Sequence, residues 1–358
     1  MTAYRKAAIT KSVNRERLIG LVLLFLSLAF IAALIALGEP AHGGDRTREA
    51  LEVSELRYQG WASQVLFPEL AEDLGYLTPL KLRWVGNTIS GPQDIQSAAT
   101  GDTDFGGAFS GAIVKLVAAG APIKAVVANY GADQGSFTGL YVLDDSPIKS
   151  PRDLIGKSVG MNTLGAYQEY LLTDYLLRNG LTKDDVKQVT LVPAPPVNLA
   201  QMLRQKRIDA TFLFDITRDK AVEQGGIKAL MTDVGTYGPL TLGGYVLTDK
   251  FIAEKPNAAR LFVESTAKAI EWVRAAPREQ VIGRMQEITR RRSRNEDPHI
   301  VDYWKSVGVA SKGGVLSDAD FAVYIDWYVK LGQLKPEQVN PADLYTNRFN
   351  PYRDLAAK

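Results

Sequence analysis

Beyond Val53 the hydrophobic period alternates between two residues and three to four, the pattern of strands interleaved with helices. Strand-like runs stand at VSELRYQ (53–59), KLRWVG (81–86), DFGGAF (104–109) and IKAVVANY (123–130). Helical stretches separate them at 66–74, 94–101 and 111–120. A second series follows: KSVGM (157–161), a long helix closed by Gly180, KQVTLV (187–192), a helix at 197–206, IDATFLF (208–214), a helix at 216–226 and IKALMT (227–232). Two such series predict an α/β protein built on parallel sheets with helices on both faces. Pro68 belongs in the first turn of its helix, where a missing N–H does no harm. After Lys250 the pattern is nearly all helical, and Phe321, Tyr324, Ile325, Tyr328 and Leu331 share one face, a core-packing stripe.

The runs FTGLYVL (137–143) and GYVLT (244–248) flank the second series, in the position of two strands crossing between lobes. The expected division is therefore a first lobe over 45–143, a second over 144–243 and a return to the first over 244–358. Residues 1–44 stand apart. Leu18–Leu37 is a run of twenty residues without a charge, preceded by five basic residues and followed by Glu39 and Asp45. About 20 apolar residues cross a bilayer as a helix, and a basic flank stays in the cytoplasm. The length favours a retained anchor, while Ala36-Leu37-Gly38 offers a weak cleavage site for a signal peptide. Either reading puts the body on the periplasmic or extracellular side of the cytoplasmic membrane.

Composition narrows the chemistry. A chain of 358 residues has room for two or three domain-sized units. With no cysteine there is no disulfide, no thiol nucleophile and no Cys-ligated metal, and two histidines, His42 and His299, make no multi-histidine site. The formal charge of +2 resides in the leader, since residues beyond 44 carry 37 basic and 38 acidic side chains, so no nucleic-acid surface is expected. Catalytic GxSxG, HExxH and Walker patterns are absent from the sequence. No catalysis and no cofactor are expected, and the chain is expected to act as a monomer. The densest basic run of the body, RRRSR at Arg290–Arg294, reads as a solvated helix surface, with a permease or lipid contact as the alternative.

In open α/β sheets ligands sit beyond the carboxyl ends of strands, and between domains. The loops after strands therefore supply the candidates. Trp61 follows the first strand and either walls a ligand or packs as an ordinary aromatic; Ser63 caps the next helix or bonds the ligand. Ser110 and Gly111 open a helix after the third strand, with Ser110 a ligand contact or a cap. Asn162, Thr163, Gly165 and Ala166 join a strand to the long helix, whose free N–H groups suit an anion or polar headgroup. Asp215 is either a helix cap or a carboxylate facing the cleft, and in the second case it favours a ligand carrying an amine, amidine or hydroxyl donor over a bare anion.

SPIKSPRDLIGKSVG (146–160) followed by MNTLGAYQEYLL resembles the start of the second lobe in periplasmic solute-binding proteins of the nitrate, sulfonate, taurine and thiamine-precursor ABC transporters. RYQGW (57–61), GDTDFGGAFSGA (101–112), GAPIKAVVANYG (120–131), IDATFLFD (208–215) and GGYVLTDKFI (243–252) extend the resemblance in order along the body. It implies a two-lobed binding-protein fold with two hinge strands, a small solute held in the cleft, and partnership with a permease and its ATPase. The long, cysteine-free leader departs from the usual cleaved or lipidated form. Thiamine-pyrimidine synthases of similar architecture depend on a histidine and a cysteine-rich segment, whereas here His42 lies in the leader flank, His299 in the late helices, and there is no cysteine. An anchored, ligand-sensing ectodomain is the alternative, although only about 17 residues precede the apolar run and leave no room for a cytoplasmic output domain.

Overall fold

Strand and helix signals recur in the expected order. The computed structural model describes residues 50–62 and 64–355; the apolar run Leu18–Leu37 and Ser63 lie outside them. Among the described residues no helix is long and apolar enough to cross a membrane. The first series reads β1 (Glu55–Trp61), α1 (Phe67–Asp73), β2 (Lys81–Thr88), α2 (Gly91–Thr100), β3 (Gly106–Phe109), α3 (Ser110–Ala118) and β4 (Ile123–Ala132). Pro68 lies in the first turn of α1. α2 begins at the Ser90 cap and stops at Gly101, whose φ of 83° places it in the left-handed region that a Cβ disfavours.

The second series is β5 (Thr138–Leu143), β6 (Ser158–Met161), α4 (Tyr167–Arg178), α5 (Lys183–Val186), β7 (Thr190–Pro193), α6 (Pro196–Arg204), β8 (Ala210–Phe214), α7 (Asp215–Glu223), β9 (Ile227–Thr232) and α8 (Asp233–Tyr237). β10 (Leu240–Thr248) then leads into α9 (Asp249–Glu254), α10 (Pro256–Ala275), α11 (Arg278–Arg291), α12 (Ala319–Lys330) and α13 (Pro341–Leu344). Residues 304–311 between α11 and α12 are irregular, which the helical expectation after Lys250 overlooked.

The sheets are mixed rather than parallel throughout. β1 and β2 pair in parallel; β3, β10 and β4 form one sheet with β10 antiparallel to both neighbours; and β7, β6, β8, β5 and β9 form a third, in which β5 is antiparallel to β8 and β9. The departures are the two expected crossing strands. β5 hydrogen-bonds only within the five-stranded sheet and β10 only within the three-stranded one, so the chain passes between these sheets at 133–137 and 233–239, just outside the strands.

Alternate residues of the five-stranded sheet serve two cores. Leu140 and Phe212 join the large core shared with α4 and α12, whereas Tyr141 and Leu213 join a smaller one under α6 and α7. Phe321, Tyr324, Ile325 and Tyr328 of α12 are buried as the stripe predicts, and Tyr324 and Trp327 meet Tyr170 of α4 edge to face at 5.0 and 5.1 Å.

Arginines 292 and 294 depart from the expected solvated run. Their side chains are 7% and 5% exposed, and both pair with the buried Glu69 of α1 at 3.0 Å, because the irregular turn after α11 folds them back rather than outward, Arg294 also donating to Tyr58 Oη.

Candidate functional site

Four strands end at one place. Trp61 closes β1, Phe109 closes β3, Asn162 follows β6 and Phe214 closes β8, and all four side chains line a cavity of about 140 Å³. Tyr130, Phe137, Tyr167 and Tyr245 complete an aromatic wall, with Gln64, Asn129, Gln168 and Asp215 as its polar members. Among the described residues the lining holds no Lys, Arg or His. A larger hollow of about 620 Å³ lies between α4, α12 and the start of β10, but it is bounded mainly by helix flanks and turns rather than by strand ends. The smaller cavity is where all three sheets deliver strand ends.

Three helices also start there. α3, α4 and α7 have Phe109, Ala166 and Phe214 at their caps, and none receives a side-chain cap, so first-turn N–H groups are left to other partners. These positive helix ends offer hydrogen-bond donors without a cationic side chain.

Among the described residues Asp215 is the one acid of the lining. It does not cap: it is the first residue of α7, makes no cap hydrogen bond, and has φ 43°, a left-handed conformation costly for a residue with a Cβ. Ser136 Oγ donates to its Oδ1. Burial raises the Asp215 carboxyl above the ordinary range, while the Ser136 hydrogen bond and the charge of Arg218 oppose that rise. Arg218, 1% exposed, donates to the carbonyls of Gly135 and Phe137 at 2.8 Å and stacks 3.6 Å over the Phe137 ring, which fixes that ring in the wall. Tyr167 Oη donates to Asp233 Oδ2 at 3.1 Å, and Asp233 also accepts from the N–H of Thr138; burial pushes its carboxyl up to about 6.

Of the residues singled out from sequence, Trp61, Asn162, Ala166 and Asp215 line the cavity. Ser110, Gly111, Thr163 and Gly165 do not. The Ser110 side chain is fully buried behind Phe109 with its hydroxyl unpartnered. Gly111 instead makes room for a wall residue, since a Cβ there would come within 2.4 Å of the Phe109 ring. Gly165 adopts φ 69° and its N–H donates to Glu169, so it shapes the turn into α4. Residues missed include Asn129, Tyr130, Tyr167 and Gln168, at a strand end and a helix start, which the same loop-after-strand rule was able to find. Leu242 and Tyr245 lie inside β10, where only register decides which way they face. Among the described residues no three His, Cys, Asp or Glu side chains gather to hold a metal.

A family model described as NMT1/THI5 like matches residues 79–280. No curated protein matches the chain. Among solved structures, the alkanesulfonate-binding protein SsuA from Xanthomonas axonopodis pv. citri bound to MOPS superposes with a TM-score of 0.63 at 20% identity, covering 83% of this chain and 99% of that one. The periplasmic nitrate-binding protein NrtA from Synechocystis PCC 6803 gives 0.65 at 12% identity, with coverage of 87% and 90%. The desulfurization enzyme DSZB gives 0.58 at 14%, with coverage of 86% and 100%. At these identities the likeness is one of fold: a two-lobed binding-protein architecture that carries both receptors and an enzyme.

Proposed function

The chain belongs to the NMT1/THI5-like family, and from that premise we propose that it is the solute-binding component of an ABC importer, acting on the outer side of the cytoplasmic membrane. The two lobes divide at the crossings 133–137 and 233–239, and the solute lies between them at the strand ends. In this reading the solute is captured and handed on unchanged, without catalysis.

One observation carries the choice of solute. Among the described residues a single buried carboxylate, Asp215, stands in an aromatic wall without a cationic side chain. A bare nitrate or sulfonate meets a like charge there, whereas a flat solute carrying N–H donors meets an acceptor and ring faces together. A pyrimidine-like or amidine-bearing solute therefore fits best among the nitrate, sulfonate, taurine and pyrimidine classes. The test is a thermal-shift screen of aminopyrimidines, benzamidine, taurine, alkanesulfonates and nitrate, followed by calorimetry. A flat donor ligand at 100 times its Kd should stabilise the chain by about 2.7 kcal/mol. Asp215→Asn should abolish that gain. Stabilisation by the anions alone, retained in Asp215→Asn, would overturn the assignment.

A further inference from the structure

Asp215 owes its place to the crossing segment more than to its own helix. The Asp133 carboxylate accepts from the N–H groups of Gly135 and Ser136 at 2.8 Å and from Ser306 Oγ at 2.6 Å, and so ties this turn to the stretch after α11. On the other side Arg218 holds the carbonyls of Gly135 and Phe137. Ser136 is thereby pinned on both sides, and its hydroxyl is aimed at Asp215 Oδ1. Among the described residues the Asp215 carboxylate accepts no other hydrogen bond.

We propose that Ser136 is the positioning residue for Asp215: its hydroxyl engages one carboxylate oxygen and leaves the other to be presented to the solute. This rests on the donor-ligand reading above. Because Ser136 belongs to a crossing between the two sheets, it delivers recognition of the solute and the geometry of the crossing through one hydrogen bond. The same bond has an electrostatic consequence. A donor to the ionised carboxylate favours ionisation. The other charges around Asp215 divide: Arg218 favours the anion, while Asp219 and Asp133 oppose it. Lys305 is engaged by Asp219 at 2.9 Å, and Tyr130 and Asp233 face the site as neutral or like-charged groups. Among the described residues Ser136 is thus the one hydroxyl donor to Asp215, and it keeps that carboxylate available as an acceptor.

The test pairs a ligand-free measurement with a binding one. Carboxyl carbon resonances of aspartate-labelled full-length chain, with Asp215 assigned by its loss in Asp215→Asn, are titrated for wild type, Ser136→Ala and Ser136→Thr. Benzamidine affinity is measured across the same pH series, since an amidinium keeps its charge from about pH 4 to pH 8. In Ser136→Ala the Asp215 midpoint should rise by about one pH unit, with the acid-side loss of benzamidine binding moving by the same amount, and Ser136→Thr should restore both. An Asp215 midpoint that stays put in Ser136→Ala, or an affinity lowered by one factor at every pH, overturns the positioning role. Wild type that fails to bind benzamidine overturns the solute reading instead, and the carboxyl titration still decides Ser136.

Discussion

Ser110 and Asp94 show how burial changes what a polar side chain does. Ser110 occupies a loop after a strand, the usual address of a ligand contact, yet its hydroxyl is enclosed without a partner. An unpaired buried hydroxyl is a cost, so Ser110→Ala should leave ligand affinity unchanged and keep or slightly raise stability, by up to about 1 kcal/mol. Loss of binding in that variant, with an intact melting transition, would return Ser110 to the site. Asp94 on α2 is 3% exposed, accepts from the Gly107 N–H at 2.7 Å, and is pushed up to about 7 by burial. The sign follows directly. Between about pH 4 and pH 7 the unfolded chain has released this proton and the folded chain retains it, so rising pH lowers stability across that window by a few kcal/mol. Asp94→Asn mimics the neutral acid and should flatten that dependence, making the variant more stable than wild type near about pH 8. Urea denaturation at a series of pH values checks it; an unaltered slope would mean that Asp94 ionises normally.

At the scale of elements, the end of α11 is joined to α1 and β1 by charge rather than by apolar packing alone. Glu69 receives Tyr58 Oη at 2.6 Å, Arg292 and Arg294 at 3.0 Å each, and the Leu66 N–H at 2.9 Å, all within a buried pocket. Removing Glu69 leaves Arg294 buried without an acid, while Arg292 keeps Glu296 at 2.6 Å, and stranding one buried charge costs roughly 3 to 5 kcal/mol. Glu69→Ala should show a loss of that size in chemical denaturation, and a change below about 1 kcal/mol would mean that water reaches both arginines. The charge pattern of Arg290–Arg294 shows no sign of this arrangement, because a helical wheel cannot anticipate the left-handed turns at Ser293 and Asn295 that redirect the chain. α12 is the contrary case: its apolar stripe, read directly from spacing, is the face that packs.

For the whole molecule the consequential feature is that residues at the ends of strands in different sheets meet in one cavity. A solute touching Trp61 and Asp215 at once bridges two sheets and, with the lobes divided as proposed, should favour their closure. Small-angle scattering of the full chain should then record a smaller radius of gyration with saturating benzamidine than without it; an unchanged value would argue against hinge closure while leaving binding intact. The order of strands and helices, the α12 stripe and the addresses of Trp61, Asn162, Ala166 and Asp215 were legible in the sequence, because hydrophobic period and turn residues act over a few positions. Sheet direction at β5 and β10, the inward side chains of Leu242 and Tyr245, the withdrawal of Ser110, and the Ser136 bond to Asp215 across 79 residues were decided only by tertiary structure. They depend on register and on which distant segment packs alongside, and local pattern carries no information about either.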